Sequence, residues 1–184
     1  TMKTRLDLAQ FLNNQGLTGY GVEIGVASGD FSFPFLDIWK GTLYQVDAWK
    51  QLPPEQYTDG CNLPDEQQEE KYSLVLNKSK EYHGRSIPIR ALSKDAVKQF
   101  DDNFFDFIYI DANHKYEFVM EDLELWFPKL KKLGVFAGHD YMNDNSAAGI
   151  YGVKSAVDDF CRNHKLQLQI IDEPWATWYV YCNS

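Results

Sequence analysis

Cysteine is scarce in this chain: Cys61, Cys161 and Cys182 are widely spaced and odd in number. That excludes both a disulfide framework and a CxxC metal knuckle, and all three are expected to be buried or inert thiols. Long apolar runs are missing as well. The longest, such as 104–110 and 135–138, fall far short of the roughly 20 residues that cross a membrane. A soluble, cytoplasmic protein with no membrane partner is therefore expected. Positive charge is also in short supply, with 18 Lys and Arg against 27 Asp and Glu and a formal net charge of −9. Proteins that bind the phosphate backbone carry a basic face, so nucleic acid is a poor partner for this chain.

What remains is a chain of 184 residues, 44% hydrophobic and 15% aromatic, enough to bury one substantial core. Thr1 precedes Met2 and is set aside as an expression remnant, leaving residues 2–184 as one expected domain. No repeat, low-complexity tract or linker divides it. Short β-branched and aromatic runs alternate with segments of helical period, the pattern of βαβ units around a parallel sheet. Strands are expected at 20–24, 42–46, 86–90, 105–110, 133–137, 166–171 and 177–181. Helices are expected at 4–14, 31–39, 66–80, 93–99, 118–130 and 153–163. In the fifth helix Phe118, Leu123, Trp126 and Phe127 read as the sheet-facing side, and Glu121, Asp122 and Glu124 as the charged remainder. Lys129, Lys131 and Lys132 before Gly134 read as a solvated helix end with a glycine cap. Two long polar stretches, 50–70 and 141–152, are candidate lids over a site.

The run from Gly21 to Phe31 joins an expected strand to an expected helix through Gly25-Val26-Ala27-Ser28-Gly29. Glycine permits close backbone approach there, and the following helix N-terminus offers free N–H groups to a ligand. About 20 residues later Asp47 ends the next strand, where dinucleotide folds place an acid on ribose hydroxyls. A nicotinamide or flavin site favours GxGxxG, whose middle glycine makes room for pyrophosphate. Ala27 occupies that position, and the register is ExGxxxG.

In this register the chain resembles the class I S-adenosylmethionine-dependent methyltransferases. The resemblance extends over nearly the whole chain. It implies a Rossmann-like three-layer α/β sandwich with a seven-stranded, mostly parallel sheet whose last strand is antiparallel. By that resemblance Gly25, Ala27 and Gly29 line the cofactor and Glu23 organises its amino-acid portion. Asp47 holds the ribose diol, Trp49 flanks the adenine, and Leu92 and Ser93 lie where the ring is held. The segments Phe105 to His114, Gly138 to Tyr141 and Gly152 to Val157 resemble a bacterial subgroup of small methyltransferases associated with sugar and natural-product pathways.

Asp111 and Asp140 each end an expected strand, where open parallel sheets bind ligands, and His114 and His139 lie beside them. Methyl transfer chiefly needs alignment of acceptor and donor, and a hydroxyl acceptor also needs a base. His114, with an ordinary pKa near 6.5, is the first choice and His139 the second. Sugar O-methyltransferases similar to this segment hold magnesium with an aspartate of the first cluster and an acidic pair of the second. Asp111 and Asp140 match those metal positions, and Asp111 also reaches the cofactor. His139 stands where a glutamate is common, which points to a softer divalent ion, a second base or a backbone contact. Tyr116, Tyr141 and Tyr151 are candidate walls of an acceptor pocket.

The expected reaction is O-methylation of a small molecule, a sugar or glycosylated metabolite. Alternatives are a non-catalytic module that keeps the cofactor site, an NAD-dependent oxidoreductase and a metal-dependent hydrolase. Oligomeric state is open, with a homo-oligomer admitted.

Overall fold

The computed structural model describes residues 1–146 and 149–182. Positions 147–148, inside the second expected lid, and the last two residues of the expected domain lie outside the described residues.

Seven strands form one sheet: β1 (Tyr20–Ile24), β2 (Thr42–Asp47), β3 (Ser86–Arg90), β4 (Phe105–Ile110), β5 (Leu130–Gly138), β8 (Gln169–Ile171) and β9 (Thr177–Tyr181). Their order is β3-β2-β1-β4-β5-β9-β8. The first five run parallel, and β9 pairs antiparallel with both β5 and β8. The chain starts in the middle at β1, winds outward to β3, and returns to β4 on the other side. This reversal opens a crevice beyond the carboxyl ends of β1 and β4. Every residue of β4, FDFIYI, is buried, as a central strand covered on both faces requires.

Helices cover both faces. On one side α1 (Asp7–Asn14), α2 (Ser32–Ile38) and α3 (Asp65–Ser79) enclose a core with Leu8, Phe35, Trp39 and Phe107. On the other, α4 (Ser93–Ala96), α5 (Tyr116–Trp126) and α6 (Val153–His164) enclose Ile108, Trp126, Phe136 and Phe160. Gly21 is required by packing, since a Cβ there would lie 2.9 Å from the Trp39 ring.

Several sequence expectations are corrected. The fifth helix stops at Trp126, a 3-10 turn spans Phe127–Lys129, and β5 begins at Leu130. The lysines therefore flank the start of a strand: Lys129 pairs with Asp102 and Lys131 with Asp106, each at 2.9 Å. Gly134 lies within β5, where a Cβ would meet Leu130 at 2.7 Å, and caps no helix. Asp122 does not join the charged face of α5 but points inward with Val119, Leu123 and Trp126. Within the candidate lid 141–152, β6 (Asn143–Ser146) and β7 (Gly149–Gly152) pair as antiparallel strands. Cys61 is exposed, and all three cysteines are free.

Candidate active site

The glycine turn is built around Gly25. Its φ of +89° is open only to glycine at low cost, and a Cβ would lie 2.1 Å from the Asp111 carbonyl oxygen. This close approach welds the end of β1 to the end of β4. Asp47 fixes the turn from the other side. Its Oδ2 accepts from the Val26 and Ala27 amides at 2.9 Å, and its Oδ1 accepts from the Trp49 amide at 2.8 Å.

Trp49 is fully buried, donates its indole N–H to the Ala27 carbonyl at 2.9 Å and packs on Tyr72. It supports the turn from beneath, and its neighbours Ala48 and Lys50 line the cavity above. Gly29 likewise shapes the turn, at φ +83° against the Phe33 ring, without facing the cavity. Glu23, Gly25, Ala27, Asp47, Leu92 and Ser93 all do face it. Glu23 accepts a short bond from the Ser32 hydroxyl, and burial raises its carboxyl well above the usual range.

This cavity holds about 490 Å³, within the range of small-molecule sites. It continues from the turn to Asp111, His114, His139 and Asp140. His114 is at the centre of that end. Its Nδ1 lies 2.5 Å from Asp59 Oδ2, and its Nε2 lies 2.8 Å from Asp140 Oδ2 and 3.7 Å from Asp111 Oδ1. The Nε2 contact with Asp140 is a close ion pair without hydrogen-bond alignment. Tyr151 of β7 stacks on the imidazole at a centroid distance of 4.6 Å. Burial alone would lower the His114 pKa, but Asp111, Asp140 and Asp59 overcome it and push it up to about 12. These three carboxylates thus favour the protonated imidazolium over the neutral ring. Burial raises the Asp111 carboxyl, whereas in Asp140 the two imidazoles outweigh burial and hold it below the usual range.

Asp111, His139 and Asp140 bring one ligand atom each within 4.8 Å of one another. Two carboxylate oxygens and one imidazole nitrogen suit a divalent cation, and the nitrogen favours a softer one than magnesium. His139 Nδ1 lies 3.7 Å from Asp111 and 3.4 Å from Asp140. Asp140 takes a positive φ of +54°, uncommon for a residue other than glycine.

Several cavity residues escaped the sequence reading. Arg5 reaches in from the segment before α1, and Asp122 from α5. Tyr57 comes from the 50–70 stretch, which also places the buried Asp59 against His114. No local signal marks them, because each depends on a chain crossing that only the fold creates. Of the three tyrosines expected at an acceptor pocket, Tyr151 alone faces the cavity. Tyr116 and Tyr141 bond to Asp159 and Asp158 on α6 instead.

An open sheet with a switch-point crevice, and a cavity running from a glycine turn to an Asp/His cluster, define a class I, Rossmann-like transferase fold. Residues 22–141 match the family model described as "Methyltransferase domain", and the chain belongs to that family. It is a methyltransferase. Among solved structures it is similar to a protein assigned as a caffeoyl-CoA O-methyltransferase from Staphylococcus aureus. That likeness has a TM-score of 0.70 and 14% identity, and covers 98% of this chain and 85% of the other. It is also similar to an O-methyltransferase from Bacillus cereus in complex with S-adenosylhomocysteine, with a TM-score of 0.61, 14% identity and coverage of 96% and 79%. At such identities the likeness is one of fold. A Sinorhizobium fredii protein, the uncharacterised y4gI, is 32% identical over 72 residues, which are 39% of this chain. The match spans only 8% of that protein. Among the described residues no helix is long and apolar enough to cross a membrane.

Proposed function

We propose that this methyltransferase moves a methyl group from S-adenosylmethionine to a hydroxyl of a small cytoplasmic molecule, a sugar or glycosylated metabolite. The observation that carries this reading is the single cavity that joins the Gly25 turn and Asp47 to the Asp111, His114, His139 and Asp140 cluster. In this reading the turn and Asp47 take the adenosyl part, Leu92 and Ser93 lie beside the base, and the cluster receives the acceptor. A cavity this size gathers donor and acceptor into one aligned pair, the main requirement of a displacement at carbon.

Asp111, His139 and Asp140 are the residues that would hold a divalent metal. Such an ion would lower the pKa of an acceptor hydroxyl and cancel part of the negative charge around His114. His114 and Asp140 then flank the acceptor oxygen. As an imidazolium His114 cannot take a proton, so it serves as base only where the charge of its carboxylate neighbours is offset.

The test is calorimetric titration with S-adenosylmethionine and with NAD, followed by a screen of vicinal-diol acceptors with divalent ions or chelator. Donor binding without NAD binding, and turnover abolished by chelator and by Asp140→Asn, is the expected result. Turnover indifferent to chelator would remove the metal, and absence of donor binding would remove the whole reading. Gel filtration of the same sample decides between monomer and homo-oligomer.

A further inference from the structure

Besides His114, Arg5 is a cationic side chain that the fold brings to the β4 end of the cavity. Its backbone amide donates to Glu173 Oε1 at 2.9 Å, and the same oxygen accepts from the Thr177 hydroxyl at 2.8 Å. Leu8, Ala9 and Leu12, all fully buried, pin the following helix to the sheet. The backbone that carries this side chain is therefore fixed by contacts within the protein. Its guanidinium lies over the Phe31 ring at 5.1 Å, at the entrance to α2.

The donors of this guanidinium are largely unspent. Nη1 makes a long 3.4 Å bond to the Tyr109 hydroxyl and lies 3.7 Å from Asp111, beyond hydrogen-bond reach. Among the described residues its side chain makes no other hydrogen bond. An arginine carries five N–H groups in a planar fork that matches a carboxylate, and this side chain, 25% exposed, lines the cavity. Glu23 does not neutralise it, since Glu23 bonds to Ser32 and burial favours its uncharged form.

Sheet order decides which part of the donor Arg5 meets. Asp47 ends β2, and Leu92 and Ser93 follow β3, so the adenosyl part belongs on the β2–β3 side. The cavity lysines Lys50, Lys71 and Lys94 follow β2 or β3 in the chain too. Arg5 touches Tyr109 and Asp111 at the end of β4 and Phe31 beyond the turn, which is the opposite end. We infer that Arg5 binds the α-carboxylate of the donor's methionine portion, and that the N-terminal segment is part of the cofactor site. The inference rests on the donor being S-adenosylmethionine.

The experiment compares two ligands by calorimetry: S-adenosylhomocysteine and S-adenosyl-3-thiopropylamine, which lacks only the carboxylate. Wild type is expected to bind the first at least about 10-fold more tightly. Arg5→Ala should weaken S-adenosylhomocysteine about 10- to 100-fold and leave the amine within about twofold, erasing the discrimination. Arg5→Lys should restore part of it, because the charge returns without the fork. Equal weakening of both ligands in Arg5→Ala and Arg5→Lys would overturn the assignment in favour of a packing role over Phe31. Unchanged discrimination would overturn it outright. Failure of wild type to bind either ligand would instead bring down the donor reading, and this assignment with it.

Discussion

Asp59 and His114, 55 residues apart, meet at 2.5 Å between Oδ2 and Nδ1. The contact ties the long polar stretch after β2 to the end of β4, and Gly149 permits it, since a Cβ there would lie 2.9 Å from Asp59. Asp59 fixes which imidazole nitrogen faces the cavity. Replacing it with alanine should lower turnover about 10- to 100-fold with little change in donor affinity. Steady-state kinetics together with donor titration check this, and an unaltered kcat would show that His114 needs no such partner.

Asp47 serves the fold before any ligand binds. Three backbone amides, of Val26, Ala27 and Trp49, use its two oxygens. Asp47→Ala should therefore cost roughly 2–4 kcal/mol of stability as well as donor binding. Urea unfolding without ligand separates the two losses, because a residue devoted to ribose alone would leave the midpoint in place.

Gly25→Ala should be more damaging than any other glycine substitution in the turn. The added Cβ would meet the Asp111 carbonyl, and the φ of +89° disfavours any side chain. A loss of roughly 3 kcal/mol or more is expected, with β1 and β4 forced apart and donor binding lost with them. Chemical denaturation is the measurement, and near-wild-type stability would mean that the turn relaxes freely.

Asp122 gives the protein a pH dependence. Burial raises its carboxyl to about 7, against an opposing bond from Ser93. The folded chain thus binds this proton more tightly than the unfolded chain. The associated stability is full below the unfolded value near 4, declines as pH rises toward 7, and is gone above that. Asp122→Asn, which needs no proton to stay neutral, should gain on wild type by about 4 kcal/mol between pH 4 and pH 8. Parallel urea titrations at the two pH values would contradict this if the difference between the proteins stayed constant.

Much of the molecule was legible in the residues. The ExGxxxG register, Asp47 at the end of the second strand and the apolar run 105–110 placed β1, β2 and β4 within a residue of their observed bounds. They did so because strand period and turn chemistry are local properties. Boundaries failed where local and tertiary preferences compete. Lys129 to Gly134 carries a helix-end signature, yet Pro128 breaks the helix and pairing of Leu130 with Phe105 captures the segment as strand. Asp122 looked like surface because its charge was read without Ser93 and Trp126, whose side chains meet it or its partner.

The sequence by itself determined the central strands β1, β2 and β4, the glycine turn and the placing of Asp111 and Asp140 at strand ends, since each rests on spacing within one or two elements. The tertiary structure decided their chemistry. Arg5 and Asp59 reach the cavity end from segments far away in the chain, and three converging carboxylates favour the protonated form of His114. A side chain's charge state is set by its neighbours in space, and those are not written in its neighbours along the chain.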